Sequence, residues 1–235
     1  MKLKLLVLEN VPIFRQLQIE EALLRADSDN WCLFNHGSSR HIVLGTSATP
    51  SDFVNLELAK ASNVPLVHRF SGGGTVIVDE DTLFVSFILQ TKELSFDPYP
   101  KPLLEWSGLF YQQALSLPTF EIRENDYTLN DKKIGGNAQY LRKDRLLHHT
   151  SFLWDFKPEN MDFLLHPEKE PTYRNKRPHG DFLTSLKPHL SKKEFFTKIL
   201  TQLEKRYEVE RALPPEYMPL HRQTTKLIHP SAINM

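Results

Sequence analysis

The sequence predicts a single α+β domain over residues 1–235, with a central mixed, mainly antiparallel sheet packed against helices. Three observations predict it. β-branched and aromatic runs of strand length recur along most of the chain. Helical patterns interrupt them irregularly rather than alternating one for one, as βαβ units would. No repeat or low-complexity stretch divides the 235 residues, and 40% apolar with 11% aromatic residues is enough for one substantial core.

The elements follow in order. KLKLLVLE reads as a strand over 2–9, and Pro12 opens a helix that places Ile13, Leu17, Leu23 and Leu24 on one face. WCLFN (31–35) and HIVLG (41–45) flank turn residues 36–40 and predict a hairpin. Thr49 caps a second helix with Pro50 at its first position and Phe53, Leu56 and either Ala59 or Lys60 on its inner side. PLVHRF, GTVIVD and LFVSFILQ then read as strands, the last two separated by the polar DEDT. Prolines 98, 100 and 102 mark a loop before a helix over 103–116, and strands resume between 120 and 155. A charged, proline-rich connector covers 157–190. Ser191 and Glu194 form a capping box for a last helix, 192–206, whose Phe195, Phe196, Ile199 and Leu203 make one stripe.

Composition narrows the function classes. Lysine plus arginine equal aspartate plus glutamate at 29 each, so no global basic field points to nucleic acid. One cysteine, Cys32, excludes an internal disulfide and any multi-cysteine metal site, which fits a reducing, cytoplasmic setting. MKLKLLVLEN has too short an apolar run to serve as a signal or a membrane span.

Five of the nine glycines lie in two clusters, Gly72–Gly74 in RFSGGGTVIVD and Gly135–Gly136 in NDKKIGGNAQ. Successive amides in a glycine loop can cradle an anion, and Arg69 would add a positive fork; the alternative is a tight turn between strands. No GK[ST] follows, which excludes a Walker loop, and no G-x-S-x-G elbow surrounds Ser71. Lys133 precedes the second cluster. It can serve two anions at once, or simply end a strand in solvent. His148 and His149 are adjacent on a strand and point to opposite faces, so one faces a site and the other is structural.

HRFSGGGTVIVD, then ND, KKIGGNAQ and LLHHTS, in that order and spacing over residues 9–155, resemble the lipoate-protein ligase family, whose pattern is RRxSGGGxVYHD, ND, KxSGxA and HHGT. The resemblance implies the catalytic-domain fold shared with biotin ligases and octanoyl transferases, in a compact form without a C-terminal accessory domain. It implies ATP-dependent attachment of lipoate to a lysine through lipoyl-AMP, with Mg²⁺. It assigns Arg69, Ser71 and Gly72, Gly73 and Gly74 to the loop over the acyl-adenylate, and Thr75, Val76 and Ile77 to the nucleotide. It makes Lys133 the catalytic lysine between carboxyl and α-phosphate. Asn125 and Asp126 lie near nucleotide and metal, Asp126 as the Mg²⁺ ligand, with Gly136, Ala138 and His149 along the acyl site. The implied partners are lipoyl domains of 2-oxoacid dehydrogenase complexes or the glycine cleavage H protein, with a separate accessory protein in some relatives.

The sequence departs from that pattern in places. Val78 and Phe84 stand where the family has histidine and asparagine, and GTS at 45–47 lacks an arginine. EPTYRNKRPHGDFL (170–183) resembles a PxYRxxRxHxxF stretch of compact members, and its Arg174, Lys176 and Arg177 read either as a solvated loop or as a dock for an acidic acceptor. Rival readings are an octanoyl transferase, which would need Cys32 as its thiol, a biotin ligase, whose GRGRxGR run is missing, and a lipoate or adenylate binder without turnover.

Overall fold

The structure, a computed structural model, describes residues 1–166, 170–213 and 220–232. In chain order its elements are β1 (Lys2–Leu8), α1 (Ile13–Ala26), β2 (Trp31–Asn35), β3 (His41–Leu44), α2 (Pro50–Phe53), α3 (Leu56–Ala61), β4 (Leu66–His68), β5 (Val76–Val78) and β6 (Thr82–Gln90). Then come α4 (Pro100–Leu115), β7 (Phe120–Arg123), β8 (Asp126–Leu129), β9 (Lys132–Leu141), β10 (Arg145–Leu153), α5 (His179–Phe182), α6 (Lys192–Arg206), β11 (Glu208–Ala212) and β12 (Lys226–Ile228). Eight strands form one sheet in the order β11-β1-β2-β6-β10-β9-β8-β7; four form a second, β12-β4-β3-β5. The large sheet is mixed and mainly antiparallel, with parallel pairing only where β1 meets β11 and β2.

Every residue of β6 but the last is buried, because both faces of the large sheet are covered. Leu83, Val85, Phe87 and Leu89 alternate onto one face, where they pack with Phe110 of α4 and Phe195 and Leu203 of α6. Phe84 and Ile88 point the other way, toward α1: Ile88 packs with Leu23 and Leu24, and Phe84 with Ile13 and Leu17. The second sheet joins that side, with Val43, Val67 and Val78 against Ile13, Leu17 and Phe84.

Several expectations change. WCLFN and HIVL do not form a hairpin. The first pairs with β1 and β6 in the large sheet, and the second with β4 and β5 in the small one. The second helix breaks at Val54 and Asn55, because Asn55 caps a new helix by accepting from the Leu58 amide at 3.1 Å while Val54 bridges to Leu164. Prolines 100 and 102 lie inside the first turn of α4, where amides have no intrahelical partner to lose. The connector is folded, with a turn of 3₁₀ helix at Thr172–Arg174 followed by α5. Strands β11 and β12 had no expected counterpart. The capping box of α6 is present as expected. No helix among the described residues is long and apolar enough to cross a membrane.

β12 is delivered by a carboxylate. Glu21 on α1 is fully buried and accepts from the amides of Thr224 (2.8 Å) and Thr225 (2.9 Å), from both hydroxyls (2.6 and 2.8 Å) and from Arg25 Nε (2.9 Å). Burial pushes this carboxyl up, but the Thr224 and Thr225 donors together outweigh it and hold its pKa below the ordinary value. A folded-state pKa below the unfolded one stabilises the protein above the unfolded pKa and loses that contribution as pH falls through the folded one. Glu21→Ala, which strands five donors, is expected to cost about 2–3 kcal/mol and lower Tm by roughly 5–10 °C at neutral pH. The gap to wild type should narrow below pH 4.5, and scanning calorimetry at stepped pH reads both effects.

Candidate active site

A cavity of about 880 Å³ opens between the two sheets, in the size range of small-molecule sites. Its walls are the glycine loop after β4, the β8–β9 hairpin, the inner face of β10 and the folded connector around Arg174 and Phe182. Every residue expected at a site lines it except Ser71. Ser71 is fully buried behind the loop, where its carbonyl accepts from the Thr46 amide at 3.2 Å.

The two glycine clusters converge. The Gly72 amide donates to the Gln139 carbonyl at 3.2 Å, stitching the loop onto β9 three residues beyond Gly136. Gly73 has φ +127°, and a Cβ there would lie 2.7 Å from Arg69 Nη2 and 3.1 Å from the Asn137 carbonyl. Gly74 differs: a Cβ would meet nothing within 4 Å, so its missing side chain keeps space open at the cavity wall. One glycine shapes the loop, and another leaves room over it.

Arg69 was expected to present a fork to an anion. It instead braces the loop, donating through Nη2 to the Gly74 carbonyl at 2.8 Å and through Nη1 to the Val43 carbonyl at 3.5 Å. Burial pushes its pKa down to about 10, so it stays charged at neutral pH, and no carboxylate pairs with it among the described residues. The loop therefore carries a buried positive charge that an anion in the cavity would compensate.

On the opposite wall, Lys133 Nζ is ion-paired with Asp126 Oδ1 at 2.7 Å. Asp126 lies opposite Gly136 in the β8–β9 register, and a Cβ at Gly136 would come within 3.4 Å of the ammonium. The glycine thus makes room for the pair. The hairpin carries a register shift between Tyr127 and Thr128, and the Asn137 side chain ties the Asn125 carbonyl at 2.7 Å. Lys133 is therefore not a solvated strand end; only 24% of its side chain is exposed.

The two histidines divide as expected. His148 is fully buried against the Tyr127 hydroxyl at 2.8 Å, and burial holds its pKa down at about 3. His149 lines the cavity, with Nδ1 set 2.9 Å from Glu20 Oε1; Ser86 and Gln16 donate to the same oxygen at 2.6 and 2.8 Å. That leaves Nε2 as the ring nitrogen available to a ligand. Sequence reasoning missed Glu20, although a glutamate standing at position 20 in the apolar stripe Ile13, Leu17, Leu24 is a readable signal. It also missed Tyr173, whose hydroxyl donates to Asp126 Oδ2 at 2.8 Å.

The segment 170–183 is not a solvated basic loop. Arg174 is buried, pairs with Glu170 at 3.4 Å and lines the cavity, while Arg177 is tied to Asp131 at 3.1 Å. Cys32, the sole cysteine, is fully buried in β2 and does not line the cavity; burial pushes its thiol well up. It is out of reach as a nucleophile.

A family model described as the lipoyl protein ligase A/B catalytic domain matches residues 12–208. A curated relative from Plasmodium falciparum, named an inactive lipoate-protein ligase 2, is 31% identical over 236 residues, covering 74% of this chain and 61% of that protein. A lipoate-protein ligase of Bacillus subtilis is 28% identical over 146 residues, covering 59% and 42%. The chain thus spans less than two thirds of the length of either relative. Among solved structures, a lipoate-protein ligase A bound with ATP shares the fold with TM-score 0.76 at 18% identity, over 92% of this chain and 90% of that one. A bipartite lipoate protein ligase of Thermoplasma acidophilum, described with its E2 lipoyl domain, gives 0.75 at 18%, over 92% and 88%.

Proposed function

This chain belongs to the lipoyl protein ligase A/B catalytic-domain family, and we propose that it joins lipoate to a lysine of a lipoyl acceptor domain by way of lipoyl-AMP. The observation that carries the reading is the convergence of the Gly72–Gly74 loop and Lys133 on one cavity. In the first step the carboxylate of lipoate attacks the α-phosphorus of ATP and pyrophosphate leaves. The Lys133 ammonium lies where both reacting anions would gather, and Arg69 adds positive charge across the cavity. In the second step the acceptor lysine attacks the acyl carbon and AMP leaves, its negative charge still facing Lys133. The apolar wall of Phe84, Val43 and Leu17 suits the aliphatic chain of lipoate.

Mg²⁺ fits this site only in a limited way. Both oxygens of Asp126 are engaged, by Lys133 and Tyr173, and no cluster of three or more metal-ligating side chains occurs among the described residues. Asp126 would supply one ligand, the nucleotide phosphates and water the remainder, and the metal's contribution would be charge neutralisation on the phosphates. By analogy with the archaeal ligase and its E2 lipoyl domain, the acceptor is a lipoyl domain, as in the 2-oxoacid dehydrogenase complexes, and the H protein of glycine cleavage is the other acceptor the proposal admits. A separate accessory protein belongs to the same proposal.

A second reading, a binder of lipoate or its adenylate without turnover, is favoured by the relative named inactive and by Val78 and Phe84 at positions where the ligase pattern has histidine and asparagine. One experiment separates the two. The chain is incubated with ATP, Mg²⁺, lipoate and a lipoyl domain, and the acceptor is weighed by mass spectrometry. A lipoylated acceptor with stoichiometric pyrophosphate is expected; tight lipoate binding with no pyrophosphate would assign the chain to the binders.

A further inference from the structure

An ammonium has three N–H donors. Lys133 spends one of them on Asp126 Oδ1 at 2.7 Å, and the other oxygen of that carboxylate accepts from the Tyr173 hydroxyl at 2.8 Å. We propose that Tyr173 is a positioning residue of the adenylate site: by occupying the second oxygen of Asp126 it restricts the carboxylate to one donor of Lys133, leaving two donors for a ligand. The inference rests on the reading of the cavity as a lipoyl-adenylate site, where one donor would meet the acyl carboxyl and another the α-phosphate.

The geometry around the pair supports this. Asp126 is buried, so an oxygen without a partner would be costly, and Lys133 is the cation at hand to satisfy it. Without the phenol, the carboxylate would turn both oxygens to the ammonium and compete with the ligand for it. Tyr173 is itself fixed without using its hydroxyl. Its amide donates to Glu124 Oε1 at 3.3 Å, its carbonyl accepts from Arg177 Nη2 at 2.9 Å, and its ring packs on Phe182 at 5.2 Å. Further along the same segment, the Thr184 amide donates to the Lys133 carbonyl at 2.9 Å. The segment therefore grips the β8–β9 hairpin on its own, and the hydroxyl is left with one task, the orientation of Asp126.

The test is a double-mutant cycle on the full chain, read as affinity for a non-hydrolysable sulfamoyl analogue of lipoyl-AMP by calorimetry, with Tyr173→Phe, Asp126→Asn and the pair together. Tyr173→Phe is expected to weaken the analogue roughly tenfold, the scale of one hydrogen bond to a charged group. In the Asp126→Asn background the same change should have no effect, because the group it positions is gone. A structural role would lower affinity equally in both backgrounds, and that result overturns the proposal, as does a Tyr173→Phe affinity equal to wild type. Failure of the wild-type chain to bind the analogue would instead sink the adenylate-site reading. Urea unfolding midpoints of the variants report on folding separately.

Discussion

Lys133→Ala is expected to cut lipoyl-adenylate formation by ~10²- to 10³-fold, the scale of losing one preorganised donor at developing charge. The reason is double. The variant removes the ammonium that would face carboxyl and phosphate, and it leaves Asp126, buried beside the cavity, as an unpaired negative charge against the same anions. The stranded carboxylate also costs stability, so the unfolding midpoint should fall as well, and the rate is read well below it. Pyrophosphate release under single-turnover conditions gives the rate. Near wild-type release from the alanine variant would remove Lys133 from the mechanism.

The second large effect is expected at Gly73. Its φ of +127° is a conformation that β-branched residues rarely adopt, and a side chain there would strike Arg69 Nη2 and the Asn137 carbonyl together. Gly73→Val should therefore push the loop off β9, break the Gly72 to Gln139 hydrogen bond and reduce affinity for an adenylate analogue by more than about 100-fold, with a lower Tm. Gly74→Ala is the internal comparison. Nothing stands within 4 Å of its added carbon, so the fold should be unaffected and any loss should appear only in ligand binding. If Gly74→Ala proved the less stable of the two, the loop geometry described above would be wrong.

What the sequence disclosed, and what it withheld, follows the range of the interactions. The capping box at Ser191 and Glu194, the apolar stripe of α1 and the strand character of LFVSFILQ depend on neighbours a few residues away, and each is present. The glycine clusters were legible because glycine is scarce in this chain and concentrated in two places. The partition of strands into two sheets was not. WCLFN and HIVL look alike in composition, and their separation is decided by distant partners, Phe84–Ile88 for one and Leu66–His68 for the other. β11 and β12 escaped because they are short and carry charged residues, with little apolar pattern to reveal them. Asn55 is a readable cap, but the apolar spacing of Phe53 and Leu56 runs across it and suggests one longer helix. The roles of Tyr173 and Glu21 depend on contacts 47 and 203 residues apart, which no local pattern encodes.

Each sheet receives a strand from late in the chain: β11 lies beside β1, and β12 lies beside β4, with Thr224 and Thr225 just before it held at Glu21. A nascent polypeptide leaving the ribosome therefore has β1 and β4 each with an open edge until more than two hundred residues have been made. Closure of such long loops makes for slow folding, and during synthesis those open edges are where a chaperone, or another unfinished copy, would take hold.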